Sequence, residues 1–298
     1  MTKKQKPTGT LKKFLDVRDK NTRVIGSLER YLLSTPRSGA RATDVIHPSE
    51  MAKEDWCHKA EYYELQGRPP APSKFKSSMK QLLTFEEGHR IHARYQTWFQ
   101  NMGKLYGAWD CRRCGNRVWA TSPTNCDKCF SPDTFRYKEV PLEYDPLRIS
   151  GHADGWLKGF GDDLLLEIKS VGEGTIRWEA PQFYEAHDGD IKKMWKNLDT
   201  PFHTHINQVQ IYMHLMELMG LEDAPKEAVF IYESKATQET KEFVVPKNTF
   251  GVAPLFEAAE MIVAALDKGT PPPCNINPVD GCYKCNFHSE VIDVEVGA

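Results

Sequence analysis

The chain has 298 residues, of which 40% are apolar and 27% are charged, and its formal net charge is −2. This composition is ordinary for a soluble globular protein of two domains or of one elaborated domain. No window approaches 18 uninterrupted apolar residues, so no membrane span is expected, and the near-neutral charge gives by itself no sign of a nucleic-acid partner.

The N-terminal segment differs in charge from the rest of the chain. Residues 1–30 hold nine Lys or Arg and three Asp or Glu. We therefore treat residues 1–45 as a basic arm, which either neutralises phosphates or is a solvated tail. The segment lacks the apolar run and the cleavage site of a secretory signal. We expect a reducing cytoplasm, where the eight cysteines indicate metal binding or chemistry rather than disulfides.

Hydrophobic periodicity predicts an alternation of helices and strands along the chain. The predicted elements are a long helix or a broken pair at 76–100, strands at 148–157 and 163–171, a helix at 206–219, strands at 227–234 and 241–246, and a helix at 254–269. The first two strands are joined by the glycine-containing turn 158–162 and form an antiparallel hairpin. Long helices mixed with a small sheet indicate an α/β fold.

The stretch GHADGWLKGFGDDLLLEIKS, which forms this hairpin, is the most informative part of the sequence. Side chains two apart on a strand share a face, so Glu167 and Lys169 project together, and strand pairing brings Asp154 beside Glu167. Two neighbouring carboxylates repel unless a divalent cation binds both, and the lysine can then stabilise charge on a phosphate. The alternative is an ordinary surface ion pair. The apolar run LLLEIKS favours a site, because charges are rarely buried without a function.

The pattern IxGxxDG…LLEIKS resembles the core of the PD-(D/E)XK nuclease superfamily, in particular its RecB-like and CRISPR-associated exonuclease branch. That branch has a G-x-x-x-H motif before the core, which Gly88 and His92 match, with His89 as the fallback. It also has a Q-x-x-x-Y motif after the core, which Gln208 and Tyr212 match. The resemblance implies a restriction-endonuclease-like core, a small mixed sheet flanked by helices, over residues 46–298.

The resemblance also implies roles for individual residues. The ligands it implies for Mg²⁺ or Mn²⁺ are His92, Asp154, Glu167 and the carbonyl of Ile168. Lys169 would orient the attacking water. Gln208 and Tyr212 share one helical face that would line the active site, although core packing is the alternative for Tyr212. The reaction implied is hydrolysis of phosphodiester bonds in the cytosol of a bacterium or a phage-infected host, since similar single-domain proteins occur in bacteriophages.

Four of the cysteines form two CxxC pairs that are separated by eleven residues: Cys111, Cys114, Cys126 and Cys129. Two such pairs can complete a tetrahedral site, so we predict a zinc-ribbon insertion at 108–132, with free thiols or redox pairs as the alternative. Its role is either to stabilise a loop too small for its own core or to bind nucleic acid. The side chains available for such binding are Arg112, Arg113, Arg117, Trp119 and Lys128.

The other four cysteines lie near the two ends of the chain: Cys57, Cys274, Cys282 and Cys285. In the iron–sulfur branch of the nuclease family, cysteines with this layout hold a 4Fe-4S cluster that staples the C-terminal segment, residues 271–298 of this chain, to the core. No cysteine follows Cys285, so Cys274 would have to supply the third C-terminal thiolate. The alternatives are zinc, with His58 or His288 as a ligand, and unligated core cysteines.

Three functions follow from these features. The first is a metal-dependent DNA exonuclease that acts on single strands or DNA ends in recombination, repair or replication. Because the chain has no G-x-x-x-x-G-K-[ST] motif, unwinding would have to come from a partner helicase, from a recombination protein or from frayed DNA. The second is a non-catalytic nucleic-acid-binding or assembly module on a nuclease scaffold. The third is a restriction-type endonuclease, for which no recognition domain is evident.

Overall fold

The computed structural model describes residues 24–35, 41–68, 78–132 and 134–276. The chain divides into two compact units. The smaller unit comprises residues 1–41 and 73–87, and its described parts are α1 (Ile25–Ser34), Arg41 and the beginning of a long helix. The larger unit comprises residues 42–72 and 88–298 and carries all the predicted site residues. Most of the predicted basic arm, and the C-terminal segment beyond residue 276, lie outside the described residues.

Short and long helices alternate with nine strands in the rest of the described chain. The helices are α2 (Pro48–Met51), α3 (His58–Leu65), α4 (Met79–Asn101), α5 (Glu173–Glu179), α6 (Pro181–Ala186), α7 (Ile191–Asn197), α8 (His203–Leu218) and α9 (Ala253–Lys268). The strands are β1 (Leu105–Cys111), β2 (Arg117–Thr121), β3 (Phe135–Tyr137), β4 (Val140–Tyr144), β5 (Ile149–Ala153), β6 (Gly155–Phe160), β7 (Asp162–Val171), β8 (Glu227–Ser234) and β9 (Thr240–Pro246). Among the described residues, no helix combines the length and the apolar character that a bilayer crossing requires.

Within the described ranges, seven strands form one sheet in the order β2-β1-β6-β7-β8-β9, with β3 also paired to β1. The β7–β8 pair is parallel and the other pairs are antiparallel. β4 and β5 form a separate antiparallel pair. The predicted mixed α/β class, with a sheet flanked by helices, is confirmed. The sheet is larger than expected because β1, β2 and β3 extend it, and these short strands were not predicted from the sequence.

The alternation of side chains along β7 assigns the two faces of the sheet. Leu166 and Ile168 belong to a core that also contains buried residues of α4, whereas Leu165 belongs to the core that contains the buried residues of α8. Because neighbouring residues of a strand point to opposite faces, Glu167 and Lys169 project toward α8. The predicted hairpin is present as β6–β7 and turns at Gly161, whose φ of +93° suits glycine.

The strand predicted at 148–157 is interrupted at Asp154. The segment before it, β5, pairs with β4, and the segment after it, β6, joins the main sheet. The Oδ2 atom of Asp154 accepts a hydrogen bond of 2.6 Å from the backbone N–H of Ile168, so the side chain satisfies a donor of β7 that has no β6 partner. The interruption therefore holds the carboxylate of Asp154 directly beside β7.

Candidate active site and metal centre

Asp154, the acid predicted on the first strand of the hairpin, lies between the long helix α4 and the sheet. His92, on the fourth turn of α4, places Nδ1 2.9 Å from Oδ1 of Asp154, while Oδ2 accepts the Ile168 N–H. His89, the fallback ligand, is exposed. The structure thus brings His92 rather than His89 to Asp154. The Ile168 amide contributes its N–H, and the role of its carbonyl stays a prediction.

The other predicted site residues form a chain of contacts on the α8 side of the sheet. Lys169 Nζ lies 2.7 Å from Glu167 Oε1 and donates a hydrogen bond of 2.9 Å to Gln208 Oε1. Gln208 Nε2 in turn donates a hydrogen bond of 2.7 Å to the hydroxyl of Tyr212. Gln208 and Tyr212 are one helical turn apart, so both project from the same face of α8. Tyr212 belongs to the core and also fixes the amide that holds Lys169.

Burial strengthens the electrostatics of this arrangement. Asp154 is 8% exposed and Glu167 is 3% exposed. Burial, followed by the neighbouring charge of Asp154, raises the pKa of Glu167 to about 7 against the opposing effect of Lys169. Burial alone would lower the pKa of His92, but the charge of Asp154 and its hydrogen bond overcome this and raise the pKa. Burial therefore brings two carboxylates and two basic groups, His92 and Lys169, together where their mutual interactions are strong.

This donor set fits a hard divalent cation, because two buried carboxylates and an imidazole supply oxygen and nitrogen ligands. Asp154 and Glu167 interact electrostatically with each other and with His92. In the described part of the chain, however, only the four-cysteine set has three or more such ligand atoms all within 4.8 Å of one another. In this structure the carboxylate of Asp154 contacts His92 and that of Glu167 contacts Lys169. Both side chains would have to turn toward a bound cation.

Two residues at the site were not predicted from the sequence. Gln96 donates hydrogen bonds to the backbone oxygen of Asp154, at 3.0 Å, and to Oε1 of Glu139, at 3.3 Å. Burial, followed by the charge of Asp154, raises the pKa of Glu139 to about 6. Gln96 is four residues after His92, so helical spacing could have revealed it. Glu139 belongs to no motif and reaches the site through a turn with a φ of +63°.

The four cysteines of the predicted ribbon converge. The Sγ atoms of Cys111 and Cys129 are 3.7 Å apart, those of Cys114 and Cys126 are 3.6 Å apart, and all four lie within 4.8 Å of one another. Tetrahedral Zn²⁺ with bonds of about 2.3 Å separates its sulfur ligands by about 3.8 Å. The set could hold a metal ion, and the tetrathiolate chemistry fits zinc. The hydrogen bond with the Thr134 hydroxyl is the largest of the interactions that lower the pKa of Cys111 to about 6.

Only part of the second cysteine set can be located. Cys57 caps the start of α3, accepting a hydrogen bond of 3.4 Å from the N–H of Ala60, and Cys274 packs against the same core. Asn275 donates a hydrogen bond to the Trp56 carbonyl and accepts one from the His58 N–H. The residue after Cys274 therefore binds on both sides of Cys57. Cys282 and Cys285 lie outside the described residues, so the 4Fe-4S cluster stays a prediction.

Comparison of the whole chain with known proteins finds low similarity. No protein-family model matches the chain, and no curated protein matches it. A crystal structure of SSO0001 is similar at 13% identity and a TM-score of 0.35, covering 78% of this chain and 81% of that chain. The alkaline exonuclease LHK-Exo from Laribacter hongkongensis is similar at 12% identity and a TM-score of 0.38, with 76% and 90% covered. The structure of LHK-Exo in complex with dAMP has a TM-score of 0.41, with the same identity and coverage. These low scores assign no activity to the chain. The functional proposal therefore rests on the residues of the chain itself.

Cation binding should weaken as the pH falls. Because the pKa of Glu167 is raised to about 7, a proton competes with the cation below that pH. Simple competition predicts that half-saturation at pH 6 needs about tenfold more Mn²⁺ than at pH 8. Titration followed by electron paramagnetic resonance measures this ratio. The Glu167→Gln variant should bind Mn²⁺ weakly and with a smaller pH dependence, and equal wild-type affinity at both pH values would contradict the assignment.

Gly151 packs closely against Pro48 and Tyr212. A Cβ at this position would lie 2.9 Å from Cγ of Pro48 and 3.3 Å from Cε1 of Tyr212. We expect Gly151→Ala to destabilise the fold by about 1–3 kcal/mol and to slow cleavage by displacing Tyr212. Gly174→Ala is the control, since its Cβ would meet nothing within 4 Å and alanine favours the helix there. Urea unfolding that finds the two variants equally stable would contradict the packing argument.

Proposed function

We propose that the chain is a divalent-metal-dependent nuclease of the PD-(D/E)XK type that hydrolyses phosphodiester bonds in DNA. The observation that carries this proposal is the contact on β7 between Lys169 and the buried Glu167, next to the buried Asp154 at the junction of β5 and β6. A structural ion pair does not require a second buried carboxylate and a histidine next to it. A site for phosphoryl chemistry does, because it has to bind a cation and a phosphate in the same place.

The roles proposed for the residues follow from their contacts. Asp154, Glu167 and His92 would hold Mg²⁺ or Mn²⁺, which when bound supplies Lewis acidity at the scissile phosphate. The ammonium group of Lys169 would orient the attacking water and stabilise negative charge that develops on the phosphate oxygens. Gln208 and Tyr212 act as positioning residues, because their hydrogen bonds fix the rotamer of Lys169.

The proposal extends to an exonuclease that acts on single-stranded DNA or DNA ends and serves recombination, repair or replication with a partner that opens the duplex. The resemblance noted in the sequence supports this finer assignment. We also propose zinc for the four-cysteine set and a 4Fe-4S cluster for the second set. Brown colour and stoichiometric iron in anaerobically purified protein would support the cluster, and zinc as the sole metal would remove it.

The test is a degradation assay with four substrates: 5′-labelled linear single strands, 3′-labelled linear single strands, labelled circular single strands and blunt duplexes. We expect Mn²⁺ or Mg²⁺ to support cleavage of linear strands, with circles resistant, and EDTA to stop it. Cleaved circles would show an endonuclease and remove the exonuclease assignment. Binding of every substrate without any metal-dependent cleavage would favour the non-catalytic module and contradict the proposal.

A further inference from the structure

The strands β1, β2 and β3 present one cationic face beside the candidate active site. Directly opposed residues of antiparallel strands share a face, so Asp110 lies between Arg117 on β2 and Arg136 on β3. Arg112 lies in the turn after β1 and lines the same cavity as Asp110, Arg136 and Lys138. The Lys138 N–H donates a hydrogen bond of 2.8 Å to the Ala108 carbonyl. This bond extends the β1–β3 pairing by one residue pair beyond Trp109 and Tyr137. We call Arg112, Arg117, Arg136 and Lys138 the basic face.

The basic face is continuous with the active site through two cavities. The first, of about 500 Å³, is lined by Asp110, Arg112, Arg136 and Lys138. The second, of about 340 Å³, is also lined by Arg136 and Lys138 and reaches Gln96 and Glu139. Gln96 is the residue whose amide binds the backbone oxygen of Asp154. Because the two cavities share Arg136 and Lys138, we describe them together as a groove from Arg112 to Gln96 and Glu139, which Glu143 also borders.

Charge changes sign along this groove. At the active-site end the carboxyl groups of Glu139 and Asp154 are close enough to interact, which suits a cation. At the far end the cavity lining holds three cations and one acid, Asp110. Asp110 is already bound by Arg117 through contacts of 2.6 Å and 3.1 Å, while Lys138 Nζ is 3.9 Å away. The remaining positive charge suits a polyanion rather than a small neutral ligand.

The contacts also separate the basic face from the other cations near the four cysteines. Arg113, a candidate from the sequence, donates to the Ser131 hydroxyl at 2.8 Å. Arg136 and Lys138 were not candidates, because they follow the last cysteine, and β3 brings them beside β1. Trp119, opposite Ala108 on β2, is 42% exposed and adds an aromatic surface on which a base can stack.

We propose that the basic face binds the sugar–phosphate backbone of a DNA strand whose end occupies the site at Asp154 and Glu167, an inference that rests on the proposed nuclease function. Arg112, Arg136 and Lys138 contact successive phosphates, and the folded four-cysteine set holds β1 against β3 so that these side chains stay aligned. The four-cysteine set thereby serves substrate binding as well as stability.

The test is the binding of a fluorescein-labelled single strand of about 20 nucleotides, followed by anisotropy without added Mg²⁺ or Mn²⁺, so that no cleavage occurs and zinc is retained. We expect the Arg136→Gln, Lys138→Gln double variant to bind about tenfold more weakly, with the salt slope reduced by about 1.4 for two lost phosphate contacts. Lys192→Gln, Lys193→Gln is the matched control, because it removes the same charge from exposed positions on α7. Its affinity should stay within twofold of the wild type.

A second variant tests the sign of the charge effect. Asp110→Asn removes the acid of the basic face and should tighten binding severalfold, whereas a purely structural role for the Asp110–Arg117 pair predicts unchanged or weaker binding. Wild-type affinity in the double variant, or an equal loss in the control, would overturn the inference.

The outcomes also separate this inference from the proposed function. If the wild type cleaves DNA and the double variant binds normally, only the basic face is refuted. If the wild type cleaves nothing and the double variant loses binding, the nuclease proposal fails and the binding face stands. If both hold, the double variant should raise KM and leave kcat unchanged.

Discussion

Lys169→Ala should reduce metal-dependent DNA cleavage by about 10³-fold while the protein stays folded. The ammonium group is held 2.7 Å from Glu167 and 2.9 Å from Gln208, next to the candidate metal ligands. Alanine removes the group that orients water and stabilises charge on the phosphate. Single-turnover cleavage of an end-labelled strand at saturating Mn²⁺ measures the loss in the chemical step.

The control for this variant lies on the same hairpin. Lys158 also forms an ion pair, with Asp163 at 3.2 Å, but it lies near the hairpin turn and outside the candidate site. Lys158→Ala should cleave DNA at a rate within about threefold of the wild type, because this half-buried ion pair contacts none of the proposed site residues. Retained cleavage in Lys169→Ala would show that the lysine has a structural role, and the catalytic assignment would then be wrong.

Cys126→Ser should release the metal ion of the four-cysteine set and destabilise the protein by about 3–5 kcal/mol, a loss typical of a broken structural metal site. Cys126 is 1% exposed and its Sγ lies 3.6 Å from that of Cys114, so its thiolate has no substitute. For a chain of this size the loss corresponds to a decrease in Tm of about 10 °C. Elemental analysis and thermal unfolding on the same sample measure both effects.

Cys274→Ser is the control for the zinc content alone, because Cys274 lies outside the four-cysteine set but belongs to the set proposed for the cluster. It should keep about one zinc ion per chain. A Cys126→Ser protein with wild-type zinc content and Tm would show that the four thiols hold no structural ion. The alternative of free or redox-active thiols, left open by the sequence, would then be favoured.

The sequence was sufficient for the central hairpin because the hairpin depends on local patterns. Alternation along β7 places Glu167 and Lys169 on one face and Ile168 on the other, and helical spacing unites Gln208 with Tyr212. The contacts in the structure follow these patterns. The interruption at Asp154 could not be predicted, since it depends on the side chain binding the N–H of Ile168 in another strand.

The remaining features of the site depend on contacts between distant segments. Glu139 reaches Asp154 because the chain turns between β3 and β4, and no spacing rule links the two residues. The CxxC spacing identified the four thiols but not their setting. Cys111 ends β1, a strand of the main sheet, so the strands around the four-cysteine set extend that sheet. This extension creates the basic face.

The most direct measurement is the anomalous scattering of Mn²⁺ in crystals of the protein. We expect an anomalous peak bound by carboxylate oxygens of both Asp154 and Glu167, with His92 turned from Asp154 toward the ion, and we expect the peak to be absent in Glu167→Gln crystals. Crystals soaked in Mn²⁺ that show no peak there, with the Glu167–Lys169 pair intact, would contradict the catalytic metal site.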